Sequence, residues 1–445
     1  MSIVLNCVLV SKQWFKVISE RSKLSLSIKS YQKIQGQLLE RVTTLQVEQS
    51  DPLFDCKKLG LLKQLTQLDI DGNNIDEEGA KYISEMQYLA ILNMLGNNIG
   101  NEGVKYISGM KQLTHLNVSE NNIGLDGVKY IVEMKQLTHL NIGQNSIGDE
   151  GAKLIGEMTQ LLDLCIFYCG ISSEGIKHIS KLDKLTDLNI SSNMLYDDST
   201  KYISGMNQLT YLRIHDNNIG DEGAKFLGKM KQLTGINIWR NELTAEGVKF
   251  LTGLDKLTEI DISSNNIGDN GAKYISEMKQ LTNLDVSDNN IGEEGAKYIG
   301  NMKQLTILTL WKNNIRGEGA KYISKLEKLT ELDISENHID EKGAKYISEM
   351  SQLNALDISV NIIGNQGAKY IKEMKQLTDL LIWDNNIIEQ EEHPKEIKEV
   401  STTPLAETNT KLSTPSLDNT KGLRKLIGLA FILLSFTTLL YISIK

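Results

Sequence analysis

The chain has 445 residues, of which 24% are charged and 40% are apolar, and its formal net charge is −9. This acidic balance excludes nucleic acid as an expected partner, because binding to phosphates needs clusters of Lys and Arg. The four cysteines (Cys7, Cys56, Cys165 and Cys169) are not spaced for a disulfide framework or a zinc site, which favours a reducing compartment.

The first predicted segment, residues 1–23, contains the sequence VSKQW after a short apolar run. The run has neither a charged leader nor a small-residue cleavage site, so it does not fit a secretory signal. Val10, Lys12, Trp14 and Ile18 resemble the second half of an F-box, whose first half is not in this sequence. The resemblance implies that these residues contact a Skp-type adaptor of a cullin ubiquitin ligase. The alternative is a helix that only covers the apolar end of the next coil, with Trp14 buried.

Two weaker strand signals follow within residues 24–64. They are the sequences LSLSI and VTTLQV, and their spacing differs by a few residues from that of the units that come after them. Irregular units of this kind are expected at the end of a repeat array, where one face of the unit has no neighbour. We therefore predict an N-terminal capping region here.

A repeat of 24 residues begins at Leu65 and places a leucine at the head of fourteen successive units, the last headed by Leu377. In the unit 113–136 the first apolar residues alternate as in a strand, whereas Val128 and Ile131 have helical spacing. Each unit is therefore predicted to be one strand and one helix. Neither element can bury its apolar side alone, so the units, which we call coils, must stack.

Asparagine recurs eight residues after each leading leucine, with Cys169 as the single exception. A side-chain amide at a repeated turn can bond the backbone groups of its own and the neighbouring coil. Six residues further on, glycine recurs and is preceded mostly by Asp or Glu, which suits a helix N-terminus that approaches another backbone closely. Both positions are predicted to be structural.

The combined pattern LxxLxIxxNxIGxEGAKYIxxM resembles a leucine-rich repeat of the ribonuclease-inhibitor-like kind, in a 24-residue variant with Gly-Ala at the helix start. The resemblance covers residues 65–390. It implies an α/β solenoid shaped as a curved horseshoe, with parallel strands on the concave face and helices on the convex face.

The strand positions that point away from the core lie two, four, six and seven residues after each leading leucine. These offsets carry sixteen acidic residues and three basic ones, Arg213, Arg240 and Lys312. The concave face is therefore predicted to be negative and to prefer a basic or neutral protein partner.

Large aromatic residues interrupt this face at a few coils. Trp239, Trp311 and Trp383 share one offset at intervals of three coils, and exposed aromatic residues beside arginine are typical of binding hot spots. The alternative is lateral stacking between strands without a ligand. The predicted partner-binding residues are Phe167, Tyr168, Tyr211, Arg213, His215, Trp239, Arg240, Trp311, Lys312 and Trp383.

No catalytic signature is found in the sequence. It has no nucleophile elbow, no phosphate-binding glycine loop and no His or Cys pair at metal-ligand spacing. We therefore expect a non-enzymatic protein-binding scaffold without catalytic residues, metal or cofactor. With the F-box-like segment, the expectation extends to a substrate receptor of a ubiquitin ligase.

The C-terminal part changes in composition. Residues 391–425 are rich in Pro, Glu, Lys, Ser and Thr, which predicts a flexible linker. Residues 426–444 are uncharged and apolar, long enough for a transmembrane helix of about 30 Å. The preceding basic residues favour repeats that face the cytosol, so we expect a tail-anchored protein of an intracellular membrane, the endoplasmic reticulum being favoured. The alternative is a cell-surface receptor with extracellular repeats.

Overall fold

The computed structural model of the chain describes the backbone of residues 24–28, residues 42–47 and 62, and residues 64–387. Within these residues, sixteen strands form one parallel sheet whose order follows the sequence. Strand β1 (Leu24–Ile28) pairs with β2 (Val42–Val47), and β2 pairs with β3 (Gln67–Asp69). The prediction that LSLSI and VTTLQV form strands at the start of the array is confirmed. The pairing of β1 with β2 has a register shift between Leu24 and Ser25.

From β3 onward each strand has three residues and pairs with the next one in parallel, residue for residue, at a separation of 24 in the sequence. The central residue of each strand carries a leucine or isoleucine, and the sheet therefore has one apolar side. The remaining strands are β4 (Ile91–Asn93), β5 (His115–Asn117), β6 (His139–Asn141), β7 (Asp163–Cys165), β8 (Asp187–Asn189), β9 (Tyr211–Arg213), β10 (Gly235–Asn237), β11 (Glu259–Asp261), β12 (Asn283–Asp285), β13 (Ile307–Thr309), β14 (Glu331–Asp333), β15 (Ala355–Asp357) and β16 (Asp379–Leu381).

One α-helix follows each strand from β3 to β15 in the described residues, and each helix packs against the helices of the neighbouring coils. The predicted α/β solenoid of one strand and one helix per coil is confirmed. The helices are α1 (Glu77–Ser84), α2 (Gly100–Ile107), α3 (Leu125–Ile131), α4 (Gly148–Ile155), α5 (Ser173–Ile179), α6 (Tyr196–Ile203), α7 (Asp221–Leu227), α8 (Ala245–Leu251), α9 (Gly268–Ile275), α10 (Glu293–Ile299), α11 (Arg316–Ile323), α12 (Glu341–Ser348) and α13 (Gly364–Lys372).

A single apolar core runs between the strands and the helices along the whole array. In the unit 113–136, Leu113, Val118, Val128 and Ile131 are all completely buried. Burial of a side chain of this size is worth about 1.5–3 kcal/mol relative to exposure. Because the apolar side chains of each coil are buried against those of the coils on both sides, the coils are stable only as a stack.

The recurring asparagine satisfies backbone groups in two coils at once. The Nδ2 group of Asn145 donates to the carbonyl oxygens of Ile142 (2.9 Å) and Val118 (3.0 Å), the second of which belongs to the preceding coil. Its Oδ1 accepts from the backbone N–H groups of Asn121 (3.1 Å) and Ile123 (2.8 Å). The predicted structural role of the asparagine is confirmed by these bonds.

Several helix N-termini are capped by a side chain of the preceding coil. Asp149, at the start of α4, accepts through Oδ1 from the backbone N–H groups of Ser172 (2.8 Å) and Gly175 (3.1 Å) in the next coil. A Cβ atom at Gly175 would lie 2.5 Å from that oxygen, so glycine is required by the close approach. Glu174, the acid beside the glycine, instead pairs with Lys177 at 3.0 Å.

The helices carry a row of exposed lysines on their outer side. Lys297 Nζ lies 3.1 Å from Glu294 Oε1 in the same helix, and Lys249 Nζ lies 5.8 Å from the ring centre of Tyr274 in the next coil. Exposed pairs of this kind contribute little to stability. The row is a solvated surface.

Several predicted segments lie outside the described residues. These are the F-box-like segment 1–23, the linker 391–425 and the apolar segment 426–444. Among the residues that the structure describes, no helix has the length and apolar character to span a membrane. The repeat array, predicted to end at residue 390, is described to residue 387.

We predict that Asn145→Ala lowers the free energy of unfolding by roughly 2–4 kcal/mol, because it leaves buried N–H and C=O groups in two coils without partners. Urea denaturation of the full chain measures the change. The matched control is Ser146→Ala at the adjacent exposed position. A similar loss in both variants would contradict the structural role of the amide.

Candidate partner-binding surface

We call the strand face the set of side chains two, four, six and seven residues after the leading leucines Leu65 to Leu377. The strands confirm the predicted alternation, since in β5 His115 and Asn117 are half-buried while Leu116 between them is buried. The sixth offset departs from it. Serine at this offset, as at Ser119 and Ser191, is buried, whereas the aromatic side chains there project.

The centre of the strand face holds a fixed arginine. Arg213 Nη1 lies 2.8 Å from Asp187 Oδ1, and the two side chains are only 20% and 21% exposed. The guanidinium carbon also lies 4.4 Å from the ring centre of Tyr211 on the same strand. These contacts hold the planar guanidinium in one orientation, which is the arrangement that favours recognition of a partner by arginine.

Tyr211 extends across the neighbouring coil because that coil has glycine at the same offset. Gly235 pairs with Tyr211 on one side and with Glu259 on the other. A Cβ atom at Gly235 would lie 2.3 Å from Cε2 of the tyrosine ring. The ring therefore covers Gly235 and reaches Glu259. Burial, together with the Glu259 carboxylate, raises the pKa of Tyr211 above its usual range.

His215 and Trp239 form a stacked pair beside this cluster. Their ring centres are 4.7 Å apart and the ring planes differ by 21°. Burial lowers the pKa of His215 to about 4, so the imidazole is neutral at neutral pH. Lateral stacking between strands, the alternative to a binding role, therefore describes one face of the Trp239 ring. Its ring is nevertheless half-buried rather than buried, and part of it faces solvent.

The two other basic residues of the strand face are exposed and paired with acids of the preceding coil. Arg240 Nε lies 3.4 Å from Asp216 Oδ1, and Lys312 Nζ lies 3.1 Å from Asp288 Oδ2. Lys312 Nζ also lies 5.5 Å from the ring centre of Trp311. Because each cation is compensated locally, the excess of carboxylates leaves the strand face negative.

The remaining predicted residues lie apart from the central cluster. Phe167 covers Gly143, where a Cβ atom would lie 2.1 Å from its ring, and Tyr168 is 66% exposed. Trp383 is 57% exposed on the last described coil. The structure therefore brings together Tyr211, Arg213, His215, Trp239 and Arg240, and separates them from Phe167, Trp311 and Trp383. Val10, Lys12, Trp14 and Ile18 lie outside the described residues.

Asp163 belongs to the centre of the strand face and is not among the predicted site residues. It pairs in register with Asp187 on the adjacent strand, so two carboxylates lie side by side. Burial and the charge of Asp187 raise the pKa of Asp163 to about 7. The sequence signal was aspartate at the same offset in two successive coils.

Reactive thiol and metal chemistry find no support in this region. Burial raises the pKa of the Cys165 thiol to about 12 and that of the Cys169 thiol to about 11, which disfavours the nucleophilic thiolate. No group of His, Cys, Asp or Glu within the described part of the chain could hold a metal ion. The surface is suited to non-covalent binding.

Comparisons of the sequence match it to the family model of the "Leucine-rich repeat region" over residues 164–409. A second model, "Leucine Rich repeat", matches residues 63–84, 85–108, 111–132 and 135–156. No curated protein sequence matches the chain significantly.

Two solved structures show a similar fold. An internalin (inlF) from Listeria monocytogenes is 24% identical in sequence, with a TM-score of 0.53 over 70% of this chain and 84% of that one. A leucine-rich repeat protein from Leptospira interrogans is also 24% identical, with a TM-score of 0.52 over 82% of this chain and 89% of that one. At this identity the likeness shows the fold alone.

We predict that Asp163→Asn stabilises the protein above neutral pH more than at pH 5. The folded pKa of about 7 lies above the ordinary value of 3.8, so the folded state binds the proton more tightly. Stability of the unsubstituted protein therefore falls as pH rises through this window, and the substitution removes that loss. Urea denaturation at pH 5 and pH 8 tests this, with the exposed Asp183→Asn as control. A difference independent of pH would contradict it.

Proposed function

Because residues 164–409 match the leucine-rich repeat region, this chain belongs to the leucine-rich repeat proteins, and we propose that it binds a protein partner on its strand face. Leucine-rich repeat proteins are generally non-enzymatic binding scaffolds. The observation that carries the proposal is the central cluster of Tyr211, Arg213, His215 and Trp239. Its members are held by contacts within the chain while part of each remains accessible.

Preorganisation is what makes this cluster suited to binding. Arginine, tyrosine and tryptophan are the side chains most often found at the energetic centre of protein interfaces. A partner that meets side chains already fixed by Asp187 and by ring stacking loses less conformational entropy on binding. The surrounding carboxylates favour a partner with basic character.

We further propose that the array is of the ribonuclease-inhibitor-like kind and is tethered to an intracellular membrane with its repeats in the cytosol. The first proposal is supported by an α-helix of seven to nine residues in each described coil from α1 to α13. The second is supported by the uncharged sequence of residues 426–444 and the basic residues before it. The F-box-like residues Val10, Lys12, Trp14 and Ile18 support a role as substrate receptor of a ubiquitin ligase.

The strand-face proposal predicts the outcome of proximity labelling with the full chain in its native cell. Trp239→Ala with Arg240→Ala should reduce labelling of the direct partner by about tenfold, because both side chains lie at the accessible edge of the cluster. Lys297→Ala on the helix side is the matched control and should leave labelling unchanged.

Circular dichroism and urea denaturation of the same variants establish that the array is folded. Equal labelling by the control and by the strand-face variant would show that the partner binds elsewhere. Loss of cooperative unfolding in the strand-face variant would show that Trp239 is structural.

The two terminal segments predict separate results. Removal of residues 426–444 should move the protein from the membrane fraction to the soluble fraction, and Trp14→Ala should abolish co-purification with a Skp-type adaptor. Protease protection of intact membranes distinguishes the topologies. Repeats that resist protease in sealed vesicles would instead support the receptor with extracellular repeats. A glycan on Asn117 or Asn189, each of which begins an Asn-X-Ser sequence, would support it as well.

A further inference from the structure

The turns that join strand to helix depart together from the repeat pattern in two neighbouring coils. Nine residues after the leading leucine, eight of the fourteen units carry asparagine, but Gly170 and Met194 stand at this position in successive units. Eleven residues after it, six turns of the described chain have a left-handed residue, and four of these residues are glycine. The six are Gly100, Gly148, Tyr196, Gly268, Arg316 and Gly364. Tyr196, with φ of 52°, thus places a bulky ring where the fold prefers glycine.

These departures expose apolar side chains beside one another. Tyr168 is 66% exposed, Met194 57% and Tyr196 56%. The N–H of Met194 donates to the carbonyl of Ile171 at 3.1 Å, which joins its turn to that of Tyr168. A Cβ atom at Gly170, two residues after Tyr168, would meet no heavy atom within 4 Å, so open space lies above this glycine. We call Tyr168, Gly170, Met194 and Tyr196 the turn patch.

Two hydroxyl groups hold the backbone on both sides of Tyr196. Ser199 and Thr200 stand where the other described helices have glycine followed by Ala, Val or Ile. Ser199 Oγ donates to the carbonyl of Leu195, and Thr200 Oγ1 donates to the carbonyl of Asp197 at 2.6 Å. A left-handed conformation is unfavourable for a bulky residue and persists only where its surroundings fix it. The chain therefore stabilises an unfavourable turn that presents an aromatic ring to solvent.

The stacking of coils does not require this ring. Glycine occupies the same left-handed position at Gly148 and Gly268, and the core residues Leu195 and Ile203 are fully buried like their equivalents in those coils. Neighbouring exposed apolar side chains mark interaction sites on soluble proteins, and tyrosine and methionine are enriched at interfaces. Backbone outliers are likewise concentrated at functional sites. Both observations point to a partner that contacts the turn patch.

The charge of the surrounding turns defines the chemistry of that partner. Residues 144–150, 168–174, 192–198 and 216–222 contain eight acidic residues and no Lys, Arg or His. The acids are Asp149, Glu150, Glu174, Asp197, Asp198, Asp216, Asp221 and Glu222. These turns attract a cationic partner and repel nucleic acid and anionic lipid.

The acids differ in their contacts within the chain. Asp149, Asp197 and Asp221 accept from backbone N–H groups of the next coil. Ion pairs engage Glu150, Glu174 and Glu222 with lysines of their own helices, and Asp216 with Arg240. Asp198 is exposed, lies two residues after Tyr196, and forms no ion pair with another described residue. Its carboxylate is the one best placed to meet a partner's cation beside the turn patch.

We propose that the turn patch is a second partner-binding surface, which receives one large apolar side chain flanked by lysine or arginine in a protein segment. The apolar side chain lies over Gly170, against Tyr168, Met194 and Tyr196, and a flanking cation faces Asp198. Adjacent coils are only about 4.8 Å apart, so the two coils of the patch have room for a single anchoring side chain. This inference goes beyond the strand-face proposal, because Met194 and Tyr196 lie outside the strand face.

Three labelled peptides of eleven residues test this chemistry. The first has tryptophan at its centre, two lysines on each side of it, and serine elsewhere. The second has glutamate in place of lysine, and the third has serine in place of tryptophan. Titration with the full chain, followed by fluorescence polarisation, should show the first peptide bound at least about tenfold tighter than either of the others. Absence of binding, or equal binding of the first peptide and either of the others, overturns the proposal.

A pair of glycine substitutions locates the binding site. Tyr196→Gly should weaken the first peptide by about tenfold. It should not lower the midpoint of urea denaturation, because glycine adopts the left-handed conformation without strain. The matched control, Arg316→Gly, removes a large exposed side chain from the same left-handed position in another coil and should leave peptide binding unchanged.

Unchanged binding by Tyr196→Gly, or an equal loss in both variants, would place the peptide elsewhere and overturn the proposal. The strand-face proposal is tested by Trp239→Ala with Arg240→Ala against the cellular partner. Either proposal can therefore fail while the other stands.

Discussion

The structure depends on one requirement, that each 24-residue coil bury its apolar side against the coil before it and the coil after it. Leu113 and Ile131 are fully buried because neighbours on both sides cover them. The same stacking places backbone N–H and C=O groups of successive turns in the interior, where an unpaired group is costly. Asn145 and its equivalents meet this demand in two coils at once. Cys169 meets part of it, since its Sγ donates to the Ile142 carbonyl at 3.4 Å.

The positions that are not held by stacking are concentrated on the strand face. At the sixth offset a serine is buried, whereas a tryptophan projects and keeps part of its ring in solvent. Glycine has a second use there, because Gly143 and Gly235 leave room for Phe167 and Tyr211 to lie across the next coil. A uniform scaffold thus supports a surface whose chemistry is set by a few large side chains and by the small residues beside them.

The repeat period made much of the fold predictable. Strands at LSLSI and VTTLQV, the asparagine bonds and the close approach at the helix glycine all follow from local pattern. The acid beside that glycine lies in the first turn of its helix, as expected, but the N–H of Gly175 is bonded by Asp149 of the preceding coil, which the local pattern does not predict. Ser119 was expected to face out and is buried. Both differences arise from contacts between coils, which a single unit does not encode.

For this protein, the sequence alone determined the stack: one strand and one helix in every coil, the buried leucines, the asparagine row and the acidic excess of the outer face. These properties repeat at a fixed interval, so one unit describes all of them. The tertiary structure decided which outer side chains meet. Tyr211 covers Gly235 and reaches Glu259, and Arg213 is fixed by Asp187, because parallel in-register strands bring residues 24 apart into contact. The side-chain rotamers and the local charges then determine which of those neighbouring residues form contacts.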